Sequence, residues 1–385
     1  MKKKMKKNYK LLFIIILSLY QIILTNNFLN ASPKEELKEI NKYKELLIKP
    51  EFPNVKNIGR FFIKDEITYL AQSGSAIEFY LFAKSAYIIL AGDGPAIYHE
   101  EYEKARYAIY VNETLLTDTT MSEKEKKILL FNNNNTEQKI KVRIILLSEA
   151  IFGCIGIKNI IVNSSFSENL AIKPTGKKPL KIEFIGDSIT CAYGIEAKAP
   201  SEHFDTRTQN FEKTYAFLAA KELNFDYSVV CYSGCGIIST GNMMPQKYTK
   251  INYFSNINNN EWNFEKYKND VIVISLGTND AGFVWGFRVD EYIEAYYNFL
   301  KMVRRKNPNA YIICIIGMMG FEELFPLINE AIHLTEDHKI FAYLLPSQKM
   351  EDGIGAEFHP NYVNHAKWGK LLSKIIKDVI NGDIY

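Results

Sequence analysis

Short apolar runs alternate with longer amphipathic segments in the second half of the chain. The runs are rich in β-branched and aromatic residues and have the length of buried strands, whereas the segments between them have helical spacing. The predicted strands are Lys181–Ile185, Tyr227–Cys231, Val271–Leu276, Tyr311–Ile316 and a weaker Phe341–Leu345. The predicted helices are Lys213–Leu223, Val289–Lys306, Phe321–Glu336 and Tyr362–Ile380. This alternation predicts an α/β domain over residues 179–385, with a parallel sheet covered by helices on both faces.

The first half of the chain has a different pattern, in which short strands follow one another with no helix between them. The predicted strands are Ile77–Phe82, Tyr87–Ala91, Tyr107–Asn112, Lys127–Phe131 and Lys139–Ser148. Gly, Asn and Asp turns separate them, and this rhythm predicts an antiparallel β-sandwich over residues 51–165. The segment Lys173–Pro179 is then the linker to the second domain.

The N-terminus combines a lysine cluster with an apolar stretch, Leu11–Leu24, and no charged residue occurs between Lys10 and Lys34. This pattern is typical of an export signal, and the charge-free stretch is also long enough to cross a membrane. We therefore expect residues 1–31 to be a signal peptide or a membrane anchor. The mature protein would then work outside the cytoplasm, either secreted, periplasmic or anchored to a membrane. The charged residues 32–50 have helical spacing and predict a solvated spacer helix.

Composition narrows the possible partners. The chain has 385 residues, a net charge of +3 and 47% hydrophobic residues, which suffices for a sizeable core. Because the positive excess comes from the N-terminal lysines, the remainder is slightly acidic and gives no support for a nucleic-acid surface. The five cysteines are expected to be structural, with room for one disulfide. Cys231 and Cys235 lack nearby paired histidines and do not match a zinc site.

The first strand of the α/β domain ends in Gly186-Asp187-Ser188. Gly186 allows a sharp turn at the end of this strand. Ile189–Ala192 can begin a helix, so that Ser188 would lie at a helix N-terminus with unpaired backbone amides around its hydroxyl. Such amides stabilise a developing oxyanion, which makes Ser188 a candidate nucleophile.

Three further segments follow strands or precede the last helix, and each carries a group that acyl transfer requires. Gly234 follows the second strand, Asn279 follows the third, and His359 precedes the last helix. In a parallel sheet the carboxyl ends of the strands form one edge, where ligands bind. The four segments therefore place a nucleophile, two oxyanion donors and a base at the same edge.

These segments resemble the four conserved blocks of the SGNH, or GDSL-type, hydrolases, and Ser188, Gly234, Asn279 and His359 are the matching positions. The resemblance covers about the last 200 residues of the sequence. It implies a flavodoxin-like sheet and a serine esterase.

A narrower resemblance, to carbohydrate esterase family 2, covers nearly the whole mature chain. It rests on short motifs in both halves of the sequence, which are Ile58–Phe61, Arg106–Val111, Leu147–Ala150, Met244-Pro245 and Leu276–Asp280. The resemblance implies a jelly-roll sandwich in front of the hydrolase domain and an enzyme that removes acetyl groups from polysaccharides such as xylan or glucomannan. It also implies that no metal and no cofactor is required.

The chemistry of these residues is consistent with an esterase. His359 would take the proton of the Ser188 hydroxyl as it attacks an ester carbonyl, and would return it to the departing sugar hydroxyl. The amides of Ser188 and Gly234 and the side chain of Asn279 would hold the oxyanion. We expect Asp187 and Asp280 to have turn and capping roles.

The third catalytic group is the point at which the sequence departs from the family, because Glu357 stands where an Asp is usual. Either Glu357 bends to accept a hydrogen bond from His359, or it points away and a backbone carbonyl holds the histidine in a Ser-His dyad. We favour the first alternative because Gly353 and Gly355 allow the loop to adjust. Cys191 is a rival nucleophile one helical turn beyond Ser188, but it has no oxyanion donors of its own.

Trp285 follows the Asn279 loop and is the best candidate for a sugar-stacking platform, whereas Trp262 and Trp368 are expected in the core. Two other functions stay open: a lipase or thioesterase of the GDSL type, and a catalytically inactive glycan-binding protein. The sequence favours the deacetylase, because all four chemical groups are present and no long apolar lid segment is visible.

Overall fold

Two antiparallel sheets form the first half of the protein and a parallel sheet flanked by helices forms the second half. The computed structural model describes residues 42–133, 136–239, 241–257, 260–284 and 288–382. The predicted fold class is confirmed, because the parallel sheet follows a two-sheet arrangement consistent with a jelly roll. The predicted signal peptide or anchor, residues 1–31, lies outside the described residues.

Within the described part of the chain, twelve strands build the sandwich. They are β1 (Lys44–Ile48), β2 (Lys56–Ile58), β3 (Phe61–Lys64), β4 (Ile67–Leu70), β5 (Ala76–Ala83), β6 (Ser85–Gly92), β7 (Arg106–Val111), β8 (Thr114–Thr120), β9 (Glu125–Asn132), β10 (Gln138–Leu146), β11 (Ile155–Ser164) and β12 (Ile172–Pro174). One sheet has the order β3-β4-β11-β6-β9, and β1 also pairs with β11. The other has the order β12-β5-β10-β7-β8, and β2 also pairs with β5. Alternate side chains of both sheets face the space between them, as Ile77, Phe79 and Leu81 of β5 do.

The prediction of a spacer helix over residues 32–50 is wrong at its C-terminal end, because Lys44–Ile48 is a strand. Leu46 packs against the core of the sandwich and Ile48 is fully buried in it, whereas Leu47 between them is exposed. This alternation of buried and exposed side chains is that of a strand at the surface of a sheet. Pairing with β11 also provides partners for the backbone hydrogen-bonding groups, whereas a short isolated helix would be only marginally stable.

Five parallel strands and the longer helices build the second domain. The strands are β13 (Lys181–Gly186), β14 (Asp226–Cys231), β15 (Val271–Ser275), β16 (Tyr311–Ile316) and β17 (Ile340–Leu344). The α-helices of the described residues, in both domains, are α1 (Gly94–Tyr98), α2 (Glu168–Ala171), α3 (Tyr215–Glu222), α4 (Met244–Lys247), α5 (Ala281–Val284), α6 (Val289–Lys306), α7 (Phe325–His333) and α8 (Tyr362–Asn381). Short 3-10 turns occur at Glu101–Glu103, Ala150–Phe152, Thr206–Thr208, Phe211–Lys213, Glu322–Leu324, Met350–Asp352 and Ala356–Phe358.

The strand order β14-β13-β15-β16-β17 determines where the site lies. Because β13 is flanked by β14 and β15, the loops that follow these three strands are neighbours at the carboxyl edge of the sheet. Helices α3 and α8 cover one face of the sheet, where Trp368 is buried, and α6 and α7 cover the other, where Trp262 is buried. Both tryptophans therefore lie in the core, as expected.

A buried ion pair joins the two domains. Arg60 lies between β2 and β3 of the sandwich, and Glu183 lies in the middle of β13. Neither side chain is exposed to solvent, and Nη2 of Arg60 is 3.1 Å from Oε1 of Glu183. The hydroxyls of Ser228 and Tyr248 also donate to this carboxylate. The carbonyls of Tyr248 and Lys250 accept from Nη1 of Arg60.

All five cysteines are buried and free, so the structure contains no disulfide. In the part of the chain that the structure describes, no helix is both long enough and apolar enough to cross a membrane.

We expect Arg60→Ala to lower the free energy of unfolding by about 3–5 kcal/mol, because it leaves the Glu183 carboxylate buried without its cation. Urea denaturation followed by circular dichroism measures this change. The matched control is Glu66→Gln, which breaks the exposed ion pair with Lys49 and should leave the denaturation midpoint unchanged. A wild-type midpoint for Arg60→Ala would contradict the role given to the buried pair.

Candidate active site

Ser188 lies in a tight turn directly after β13. The carbonyl of Asp187 accepts from the amide of Cys191 at 3.0 Å, and the carbonyl of Ser188 accepts from Tyr193 at 3.0 Å. Only glycine fits at position 186, because the side chain of Thr190 packs closely against it and an added Cβ would lie 2.0 Å from Oγ1 of Thr190. The predicted helix after Ser188 is wrong: the chain makes a single turn and then leaves it at Ala192, whose φ is +69°.

The structure brings Ser188 and His359 together. Nε2 of His359 is 2.9 Å from Oγ of Ser188. His359 lies in the loop between β17 and α8, where its carbonyl accepts from the amide of Gly355 at 2.7 Å. The amide of Ala356 in turn donates to the carbonyl of Gly194, beyond the serine turn. These contacts tie the histidine loop to the serine turn and provide a nucleophile with a base in hydrogen-bond reach.

The structure does not bring the Glu357 carboxylate to the imidazole. Its Oε2 accepts from the hydroxyl of Tyr193 at 2.8 Å, and Oε1 accepts from the amide of Phe204 at 3.4 Å. Glu357 has a φ of +49°, and its side chain is directed to these groups instead of His359. Nδ1 of His359 is buried and has no hydrogen-bond partner among the described residues. The favoured alternative, a carboxylate that orients His359, therefore has no support in this geometry.

The surroundings of His359 favour its neutral form. Burial lowers the pKa of His359 below its ordinary value, while the backbone carbonyls of Glu357 and Ala356 and the Glu357 carboxylate oppose this effect. A neutral imidazole is the form that can take a proton from Ser188. None of the nearby carbonyls bonds to Nδ1, so the second alternative, in which a backbone carbonyl holds the histidine, is not formed in this geometry either.

Tyr193 covers the face of His359 and was missed by sequence reasoning. The two ring centroids are 4.2 Å apart, and the ring of Phe204 stacks on Tyr193 at 4.3 Å. Phe152, from the sandwich, stacks on Phe204 at 5.0 Å. Tyr193 lies five residues after Ser188 in the sequence, but no spacing rule connects it to a histidine that is far away along the chain.

The predicted oxyanion donors Gly234 and Asn279 follow β14 and β15, the two strands that flank β13 and Ser188. Among the described residues, the backbone amides of Ser188 and Gly234 donate to no protein acceptor. Gly234 has a φ of +72°, a conformation that favours glycine. Nδ2 of Asn279 donates to the carbonyl of Cys235 at 3.0 Å and to Oδ2 of Asp187 at 3.3 Å. Both bonds hold the Asn279 amide beside the Gly234 loop.

Asp187 has the turn role expected of it, whereas the contacts of the Asp280 carboxylate are with the loop that follows β14 and not with a helix N-terminus. Asp187 accepts from the amide of Ile189 at 3.0 Å, and the Asp280 carboxylate accepts from the amides of Ile237 and Ile238. Burial raises the pKa of Asp187 to about 7. A partly neutral Asp187 would repel a nearby oxyanion less than a full carboxylate does.

The other candidate residues, Cys191 and Trp285, do not form a second catalytic site in the described part of the chain. Burial raises the pKa of the Cys191 thiol well above its ordinary value, so this thiol is protonated and a poor nucleophile. Trp285 lies outside the described residues. Within those residues, no group of three or more His, Cys, Asp or Glu side chains could hold a metal ion.

The sequence profile of the GDSL-like lipase/acylhydrolase family matches residues 184–362, which include Ser188, Gly234, Asn279 and His359. The second half of the chain is therefore similar to GDSL-like hydrolase domains. The predicted family resemblance is therefore confirmed.

Relatives extend the similarity into the sandwich. The cellulase/esterase CelE of Acetivibrio thermocellus is 32% identical over 215 residues, which are 52% of this chain and 26% of that protein. An acetylxylan esterase / glucomannan deacetylase of Cellvibrio japonicus is 24% identical over 69% of this chain and 74% of that protein. The structure of a family two carbohydrate esterase from Clostridium thermocellum, in complex with cellohexaose, superposes with a TM-score of 0.74 at 25% identity. It covers 85% of this chain and 99% of that one.

We expect Glu357→Gln to keep most of the turnover of an acetate ester, because the substituted side chain still accepts from Tyr193 and never contacts His359. His359→Ala should lose activity by about a thousandfold or more, since the general base is gone. Steady-state kinetics at saturating substrate compare the two variants. Equal losses in both would instead identify Glu357 as the group that orients the histidine.

The Tyr193 ring should also set the pH dependence of the reaction. Activity falls as the pH drops through the pKa of His359, because only the neutral imidazole accepts a proton. Tyr193→Ala admits water to the imidazole and raises its pKa towards the ordinary value, so the acid limb of kcat/KM should move to higher pH. Tyr193→Phe keeps the ring and should leave the limb in place. An unshifted limb in the alanine variant would contradict this effect.

Proposed function

We propose that this protein is a serine esterase that removes O-acetyl groups from polysaccharides through an acetyl-enzyme. The observation that carries the proposal is the 2.9 Å contact between Nε2 of His359 and Oγ of Ser188, beside two backbone amides that donate to no described protein acceptor. A nucleophile, its base and free oxyanion donors are the parts that ester hydrolysis requires.

The acylation step follows from this arrangement. His359 accepts the hydroxyl proton as Oγ of Ser188 forms a bond to the ester carbonyl carbon. The negative charge that develops on the carbonyl oxygen is stabilised by the amides of Ser188 and Gly234. The Asn279 amide can join them by exchanging its longer hydrogen bond, the one to Asp187, for the oxyanion. The bond between the carbonyl carbon and the sugar oxygen then breaks, and His359 protonates this oxygen so that the sugar leaves with a free hydroxyl.

Deacylation repeats the same steps with water. His359 accepts a proton from a water molecule that attacks the acetyl carbonyl, and the same donors stabilise the second oxyanion. The acetyl–oxygen bond to Ser188 breaks, acetate leaves, and the proton returns to Oγ. No group other than those of the protein, the ester and water takes part in this sequence.

The substrate class rests on the relatives. Two of them are named esterases, one acting on acetylxylan and glucomannan, and a third is a family two carbohydrate esterase with bound cellohexaose. This chain spans only 26% of the length of the first relative and 74% of the second. Acetylated xylan and glucomannan are accordingly the first substrates to assay. The lysine cluster and apolar stretch at the N-terminus support an exported enzyme, which could meet such polymers outside the cytoplasm.

We expect Ser188→Ala to fold and to retain less than about a hundredth of the acetate release from acetylated xylan or an aryl acetate, since the nucleophile is lost. Acetate release measures activity, and circular dichroism checks the fold. A variant that keeps more activity would show that another group attacks the ester. If the wild-type protein released no acetate but bound the glycans, it would be a binding protein.

Short acyl chains should be preferred. Ser188 is only 7% exposed, and Tyr193 and His359 crowd the space beside it, so a long acyl chain has little room. We expect kcat/KM for an aryl acetate to exceed that for the matched octanoate by about tenfold or more, on the scale of a few buried methylene contacts. A preference for octanoate in this assay would contradict the deacetylase and favour a lipolytic enzyme.

A further inference from the structure

A carboxylate from the sandwich reaches the loop that carries Gly234. Glu149 follows β10 and is 1% exposed. Its Oε1 accepts from the backbone amide of Ser233 at 2.9 Å, and its Oε2 accepts from the Ser233 hydroxyl at 2.6 Å. Both carboxylate oxygens are thus bound to the residue directly before the proposed oxyanion donor.

The anchor itself is rigid. The amide of Glu149 donates to Oε1 of Gln209 at 2.9 Å, which ties its backbone to the hydrolase domain. The neighbouring Ser148 accepts from the amide of Arg106 through its hydroxyl at 2.8 Å. Glu149 is therefore held from both domains and has little freedom to follow a movement of the Ser233–Gly234 turn.

A second contact determines the direction of the Gly234 amide. Nδ2 of Asn242 donates to the carbonyl of Ser233 at 2.9 Å, and Nζ of Lys247 donates to Oδ1 of Asn242 at 2.6 Å. The Ser233 carbonyl and the Gly234 N–H belong to one planar trans peptide and point in opposite directions. Holding the carbonyl from one side therefore directs the N–H to the other side.

The two contacts complement each other. Asn242 restrains the peptide that carries the Gly234 N–H, while Glu149 restrains the amide and side chain of Ser233 on the preceding peptide. With both in place, the rotations on either side of Ser233 are blocked. A buried carboxylate is costly unless its oxygens are satisfied, and both oxygens of Glu149 are satisfied by Ser233.

We propose that Glu149 is a positioning residue through which the sandwich domain directs the Gly234 amide at the oxyanion. The inference rests on the proposed function and deepens it, because it gives the sandwich a part in the chemical step. Glu149 touches neither the ester nor Ser188. Its effect is transmitted through Ser233, and it should act on the transition state more than on the bound substrate.

The test is the kinetics of Glu149→Gln in the full-length protein. The amide nitrogen of glutamine cannot accept from the Ser233 hydroxyl, so this contact persists only if the hydroxyl turns to accept. Two charge-assisted hydrogen bonds are then replaced by weaker neutral ones, and the turn is held less firmly. We expect kcat for an aryl acetate to fall by about tenfold or more, as small misplacements of catalytic groups do, with KM changed by less than about twofold. The affinity for a boronic acid that forms a tetrahedral adduct on Ser188 should fall by a similar factor.

The matched control is Asp226→Asn. Asp226 forms an ion pair with Nζ of Lys56 at 2.6 Å, so this variant also replaces a charged contact between the domains by a neutral one. It lies at the amino end of β14, whereas Ser233 follows the carboxyl end of the same strand. We expect kcat and boronic acid affinity close to the wild-type values. A loss equal to that of Glu149→Gln would show that loosened domains, and not the turn, cause the effect, and would overturn the inference.

Ser233→Ala provides an independent test if Glu149→Gln does not fold. It removes the hydroxyl contact and leaves the amide contact, so kcat should fall by about threefold or more with KM again little changed. In the double variant the two losses should not multiply, because both act on one interaction. Wild-type kcat in Ser233→Ala, or multiplying losses in the double variant, would overturn the inference.

The outcomes separate the two proposals. If Ser188→Ala is inactive while Glu149→Gln has wild-type kcat and boronic acid affinity, the esterase proposal stands and the positioning role falls. If the wild-type protein cleaves no acetate ester, both fall together.

Discussion

The buried ion pair between Arg60 and Glu183 is the constraint on which the rest of the structure depends. Glu183 lies in the middle of β13, in a sheet covered on both faces, and a buried carboxylate is costly unless a cation accompanies it. The cation comes from the sandwich, and its guanidinium also lies over the rings of Tyr248, Trp262 and Phe264, at 5.4–5.5 Å from their centroids. The strand that leads to Ser188 is therefore completed by a residue of the other domain.

This dependence continues at the carboxyl edge of the sheet. Glu149 holds Ser233, and Phe152 ends the stack of rings that leads through Phe204 and Tyr193 to His359. The sandwich thus contacts the groups next to the proposed oxyanion donor Gly234 and next to the proposed base His359, while the proposed reacting groups all belong to the second domain. In this arrangement one domain provides the proposed reacting groups, and both domains contribute contacts that position them.

Periodicity predicted the parallel sheet well, because each of its five strands is a mainly apolar run between longer amphipathic segments. The observed bounds of helix Val289–Lys306 match the predicted ones. The pairing of Ser188 with His359 followed from the family's four blocks. Predictions from local sequence patterns were wrong where contacts with distant parts of the chain determine the local structure. Charged residues beside Leu46 concealed a strand, and a positive φ at Glu357 turned its carboxylate towards Tyr193. The contact of Tyr193 with His359 joins distant parts of the chain, so no local spacing could reveal it.

The stack of four rings has a consequence for how such proteins diversify. Phe152 comes from the sandwich, while Phe204, Tyr193 and His359 come from the hydrolase domain, and each ring is supported by the next. Recombination that joined the second domain to an unrelated partner would remove the ring of Phe152 together with the Glu149 carboxylate that binds Ser233. The pair of domains, and not the hydrolase domain alone, is then the unit that gene shuffling can move without loss of activity.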